Sequence, residues 1–204
     1  MKARAPELKP HPAYAAAFAQ VMQRVEAALG PGKPASPVIA AVAGGAALHF
    51  YTGARISSDI DASLGARVLL DASDLRVAYT LPDGGPQMLY YDIQYNDTLA
   101  LMHEDARADA LPLHVAGLDP RRLQVRLLAP VDLAVSKLAR FSEQDREDIR
   151  ELAKQGLVTE EALRRRATQA LAGHVGNLAR VRTSIEIACK DVAANSPKPR
   201  RRKG

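Results

Sequence analysis

The chain has 204 residues, enough for one ample core or for a modest α/β core with a helical appendage, and its single Cys189 excludes an internal disulfide or a cysteine-built zinc site. No apolar run approaches the roughly 20 residues of a membrane span, and the charged start MKARAPELKPHP has no hydrophobic segment behind it, so a cytoplasmic protein without membrane association is expected. The net charge of +5 is concentrated in Lys198, Arg200, Arg201, Arg202 and Lys203, without which 23 basic residues face 23 acidic ones. The body is thus electrically balanced. Only the Pro-rich end, expected to be a disordered tail over residues 196–204, is basic, and it reads either as a solubilising end or as a contact to RNA, DNA or another polyanion.

In chain order, the Ala-rich segment 13–29 carries Phe18, Val21, Met22, Val25 and Leu29 at helical spacing, with Pro12 near its first turn and Gly30 at its end, and predicts a helix packed on the core. The Pro/Gly cluster 30–37 predicts a loop, and Val38 to Val42 a short buried strand. Gly44-Gly45 then opens a short helix, 46–51, closed by Gly53. From Ser57 to about Arg126 the spacing becomes strand-like, with segments at 59–64, 67–70, 75–81, 87–95, 111–115 and 123–128, and Asp83-Gly84-Gly85 marks a hairpin between two of them. After Pro130 helices are predicted at 131–141, 142–155, 159–174 and 176–194, the last with Cys189 among Ile185, Ile187 and Ala188 as a buried thiol. The order predicts an α+β (mixed α/β) fold: a mixed sheet flanked by helices over 1–129, a helical lobe over 130–195, then the tail.

The chemistry is expected where Gly44-Gly45 precedes Asp59-Ile60-Asp61 by thirteen intervening residues. Glycines before an apolar helix let backbone approach a ligand closely, and exposed N–H groups at a helix start suit a phosphate. The strand period of two throws both carboxylates onto one face and Ile60 into the core. Two acids held so close repel unless a divalent cation lies between them, and hard oxygen ligands favour Mg2+ or Mn2+. Arg55 adds a cation for phosphate, and Ser57 and Ser58 add hydroxyls, Ser58 with a turn-shaping role as its alternative.

The string GGAALHFYTGARISSDID resembles the signature of the nucleotidyltransferase superfamily related to DNA polymerase beta. More narrowly it is similar to AbiEii/AbiGii-type toxin nucleotidyltransferases and to a related group of uncharacterised bacterial nucleotidyltransferase-like proteins. The resemblance implies a nucleotidyltransferase-like sheet in which Gly44 and Gly45 hold the triphosphate of an NTP and Asp59 and Asp61 ligate catalytic Mg2+. A third carboxylate is implied on a later strand; Asp92 is the candidate, with Asp97, Glu104 and Asp105 as alternatives. The block 128–140 leading to Asp145 and Asp148 resembles the helical motifs of the same toxin-like group, which implies that Lys137 meets nucleotide phosphates and that Asp145 and Asp148 complete the site. The likeness spans roughly residues 38–157. One departure is Gly45, where many active members place Ser.

The implied activity is transfer of an NMP from an NTP to a hydroxyl of RNA, such as a tRNA end, or of a partner protein, in a toxin or phage-defence setting with a neighbouring antitoxin. The alternatives are a catalytically silent nucleotidyltransferase-like module that binds nucleotide or partner, and a nucleic-acid binder acting through the tail. His49, inside the Gly-Gly helix, reads as packed, and His103, His114 and His174 lack metal-ligand spacing. Neither a Gly-x-Ser-x-Gly elbow nor a Walker-type loop is present.

Overall fold

The computed structural model describes residues 6–32, 34–82 and 84–197. The expected turn residue Asp83 and the basic tail from Lys198 on lie outside the described residues. Two compact units emerge: one comprises the described residues up to Asn96 together with Asp105–Ala129, the other Asp97–Glu104 and the described residues from Pro130 on.

In the first unit α1 (Pro12–Ala27) begins where His11 turns its side chain back to accept the Ala13 N–H, with Pro12 in the first turn, where its missing N–H costs nothing. Its apolar stripe of Tyr14, Phe18, Val21, Met22 and Val25 is fully buried and packs on β4 (Arg76–Thr80) and β5 (Pro86–Tyr91). These strands form a three-stranded sheet of order β2-β5-β4, in which β2 (Asp59–Ile60) runs parallel to β5 and β4 antiparallel to it. A second sheet is built around β1 (Val38–Val42), which pairs antiparallel with β3 (Ala62–Leu64) and parallel with β7 (Leu123–Leu127), while β6 (Leu111–Leu113) closes the far edge. Between β1 and β2 lies α2 (Gly44–Thr52), whose residues from Gly45 on are buried.

Two strand expectations are corrected. The segment 59–64 is not one strand but two, divided at Asp61: Ile60 O accepts the Asp92 N–H on the β5 side, whereas Asp61 O accepts the Ala43 N–H on the β1 side. The carboxylate pair therefore sits at a fork between sheets. No strand forms at 67–70, where Leu69 is 95% exposed: the apolar residues Val68 to Leu70 have no neighbouring strand to pair with and lead into a turn that Asp71 closes by accepting the Ser73 N–H.

The second unit holds α3 (Pro130–Ser136), α4 (Glu143–Lys154), α5 (Glu160–Ala170) and α6 (Leu178–Asn195), with Leu133, Ile149, Leu152, Leu163, Ala188 and Cys189 in its core. Burial raises the Cys189 thiol, which keeps it protonated and inert. The helix expected over 131–141 stops at Ser136, because the chain turns through Phe141, whose φ of 51° is left-handed, before Ser142 and Asp145 form a reciprocal capping box for α4. Among the described residues no helix is long and apolar enough to cross a membrane.

Candidate active site

The site begins where β1 leaves the sheet. Ala43 is extended and offers no side chain to cap α2, and Gly44 takes a φ of 59°, a left-handed conformation that glycine adopts without strain. The N-cap residue thus supplies no side-chain cap to α2, in keeping with a helix start that can receive an anion.

What lies against these glycines decides the meaning of the pair. A Cβ built on Gly44 would run into the Asp61 carboxylate, 2.7 Å from Cγ and 3.0 Å from its Cβ. One built on Gly45 would stand 2.5 Å from Ser57 Oγ, 2.8 Å from Ser57 Cβ and 3.1 Å from Arg55 Nη1. Neither position has room for a side chain, because the acid, the hydroxyl and the guanidinium occupy that space. The sequence spacing between Gly-Gly and Asp-x-Asp is therefore realised as contact.

Asp59 and Asp61 flank Ile60, which is fully buried, and both remain partly exposed. Ser57, itself buried, donates to Asp59 Oδ1 at 2.5 Å and fixes that carboxylate. The Ser58 side chain is exposed, and this residue contributes its carbonyl, which accepts the Tyr90 N–H at 2.9 Å. On β5 the pairs Asp59–Tyr90 and Ile60–Tyr91 end the register, so Asp92 lies just past the strand expected to carry it, where its N–H donates to Ile60 O at 3.1 Å. Asp92 Oδ1 accepts the Gln94 N–H at 2.8 Å and closes a turn there. Among the described residues no three of His, Cys, Asp and Glu converge as a metal-holding cluster. Of the alternative third acids, Asp105 starts the segment that returns to this unit, whereas Asp97 and Glu104 belong to the second.

Beneath the acids lies an aromatic layer that the sequence did not single out. Tyr14 is fully buried, and its hydroxyl, like that of Tyr79, finds no hydrogen-bond partner among the described residues. Burial, then the neighbouring Tyr79 and the Asp59 and Asp61 charges, push its ionisation far above the ordinary phenol range, against a smaller opposing pull from Arg55. The ring packs at a tilt of 59°, 4.5 Å between centroids, on His49, whose Nδ1 meets the Arg55 carbonyl at 2.9 Å and whose Nε2 accepts the His11 N–H at 3.0 Å. His49 is packed. The only sequence signal for this layer was apolar periodicity, which does not distinguish a tyrosine under a charged site from any other core aromatic.

Lys137, Asp145 and Asp148 come together in the second unit. Lys137 Nζ is 2.6 Å from Asp148 Oδ2 and 3.7 Å from Asp145 Oδ1, with all three side chains buried, and Arg140 grips Asp145 through two nitrogens at 2.8 and 2.7 Å. Burial works against the charged form of Asp145, yet hydrogen bonds from Arg140 and Ser142 and the Lys137 charge outweigh it and lower its carboxyl to about 2. A further ion pair, buried Asp132 with half-buried Arg166 at 2.7 and 3.0 Å, ties α3 to α5. Within this unit the cluster joins the turn after α3 to α4.

The mixed α+β fold, with a glycine helix start held against Asp61 and with Asp59 two residues before it on β2, is compatible with a nucleotidyltransferase-like domain. The profile of a family described as a nucleotidyltransferase of unknown function, DUF6036, matches residues 16–193, and the chain belongs to that family. No curated protein and no solved structure matches the chain.

Proposed function

We propose that the protein is a divalent-metal-dependent enzyme that moves an NMP from an NTP to a hydroxyl of RNA, a tRNA end being one such acceptor, or of a partner protein, as toxins of the AbiEii type do in the resemblance drawn above. The observation that carries this reading is the Asp61 carboxylate lying where a Gly44 Cβ would be, so that a phosphate cradle and an acid pair share one small volume. The donor chemistry fits Mg2+ or Mn2+: Asp59 and Asp61 offer hard oxygens on either side of Ile60, whose carbonyl accepts the Asp92 N–H. Such an ion, when bound by these residues, supplies charge neutralisation for the phosphates and acidity for an attacking hydroxyl.

The chain's own groups then divide the remaining work. The N–H groups at the start of α2 bind the triphosphate, and Arg55 offsets its charge beside Gly45. Ser57 holds Asp59 in one orientation by its 2.5 Å hydrogen bond. Its hydroxyl also fills the volume next to Gly45, so the group lost by having glycine there is present from another point in the chain.

A second reading, a silent module that binds nucleotide or an antitoxin-like partner, is favoured by the lack of a three-ligand cluster among the described residues. Incubation with each labelled NTP, Mg2+ and either total RNA or total protein separates the two. Transfer that Asp61→Asn abolishes while the fold persists supports the enzyme; NTP binding with no turnover supports the module.

A further inference from the structure

His49 is the one histidine in α2, it is 1% exposed, and both its ring nitrogens are used. Because Nε2 accepts a backbone N–H from His11, the proton of the neutral ring is on Nδ1, which donates to the Arg55 carbonyl. Burial lowers the pKa of His49, against a smaller raising effect of the Arg55 bond, and so favours this neutral state. The loop that carries Arg55 is tied a second time, since Ala54 N–H donates to Thr52 Oγ1 at 3.2 Å. Both ties come from the last turn of the helix whose first turn is the glycine pair, and the Arg55 guanidinium they position returns to 3.1 Å from the Gly45 Cβ point.

We propose that His49 is a positioning residue that fixes the Arg55 backbone, and so aims the Arg55 guanidinium at the triphosphate bound over Gly44 and Gly45. This rests on the nucleotidyltransferase reading. A packing role alone requires only the ring's volume; the positioning role requires a donor at Nδ1.

The test measures binding of Mg2+ complexes of the four NTPs and of inorganic triphosphate by calorimetry, on the full chain. His49→Phe keeps the ring but loses both bonds, His49→Asn places an amide donor where Nδ1 was, and His49→Gln reaches only toward His11. Expected is about tenfold weaker triphosphate binding for Phe and Gln, the order of one lost positioning hydrogen bond, with Asn recovering most of it. In an Arg55→Ala background, His49→Gln should cause no further loss. Should Phe fail to fold, the Asn and Gln pair, each missing one bond, still decides the matter. Equal affinities for wild type and His49→Gln, rescue by Gln rather than Asn, or additive losses with Arg55→Ala would overturn the proposal while leaving the enzyme reading intact. A wild type that binds none of the five probes overturns both.

Discussion

Replacing Gly44 by alanine perturbs two things at once, and the structure separates them. The backbone strain of a non-glycine residue at a φ of 59° costs about 1–2 kcal/mol. For a chain of this size that lowers the melting temperature by roughly 2–8 °C. The added methyl also lands on the Asp61 carboxylate, 2.7 Å from Cγ, and must push it aside by about 1 Å to reach ordinary contact. Misplacing a catalytic group by that much costs on the order of 100-fold in rate. Gly30→Ala is the matched control, because Gly30 has a φ of 77° with nothing within 4 Å of its Cβ point. Both variants should melt a few degrees low in a thermal scan, but only Gly44→Ala should lose labelled-NMP transfer by about 100-fold. If Gly44→Ala transfers as well as Gly30→Ala does, the contact between glycine and acid has no catalytic meaning.

Three further outcomes are expected. Gly45→Ser should lower transfer, because its Cβ meets Ser57 Oγ at 2.5 Å; pairing it with Ser57→Gly should recover activity in the same assay. Lys137→Ala leaves two buried carboxylates short of a cation and should cost about 3 kcal/mol in denaturant unfolding, with Lys137→Arg milder. Against the effect of burial, hydrogen bonds from Arg140 and Ser142 and the Lys137 charge hold the Asp145 carboxyl at about 2, below the ordinary 3.8 of an aspartate. A depressed acid stabilises fully above its unfolded value and loses that effect as pH falls through the folded one, so about 2 kcal/mol should vanish between roughly pH 4 and pH 2. Asp145→Asn should remove that part of the stability-against-pH curve.

Much of the fold was legible because its signals are local. The helical spacing of 13–29, the capping residues Ser142 and Thr159, and the alternation around Val125 each specify an element from a few neighbours. What misled was pairing, which is non-local. Val68 to Leu70 have strand composition but no partner strand, and 59–64 has one pattern but two partners, β5 and β1. The same holds for the site. Gly44, Gly45, Asp59 and Asp61 stand out by residue type and spacing, and their contact follows from the turn out of β1. Ser57 rather than Ser58 meeting Asp59, His49 tying Arg55, and Tyr14 underlying the acids depend on side-chain directions that a linear pattern does not encode. Lys137 was recognisable as a residue of interest, but its two buried carboxylate partners emerge only once α4 is packed.

The most direct measurement is a crystal structure grown with Mg2+ and a non-hydrolysable NTP. The account predicts phosphate oxygens on the N–H groups that follow Gly44, Arg55 against them, and cation density bridging the phosphates to Asp59 and Asp61. A nucleotide bound away from the glycine turn, or acids that stay without a cation while the triphosphate is in place, would contradict it.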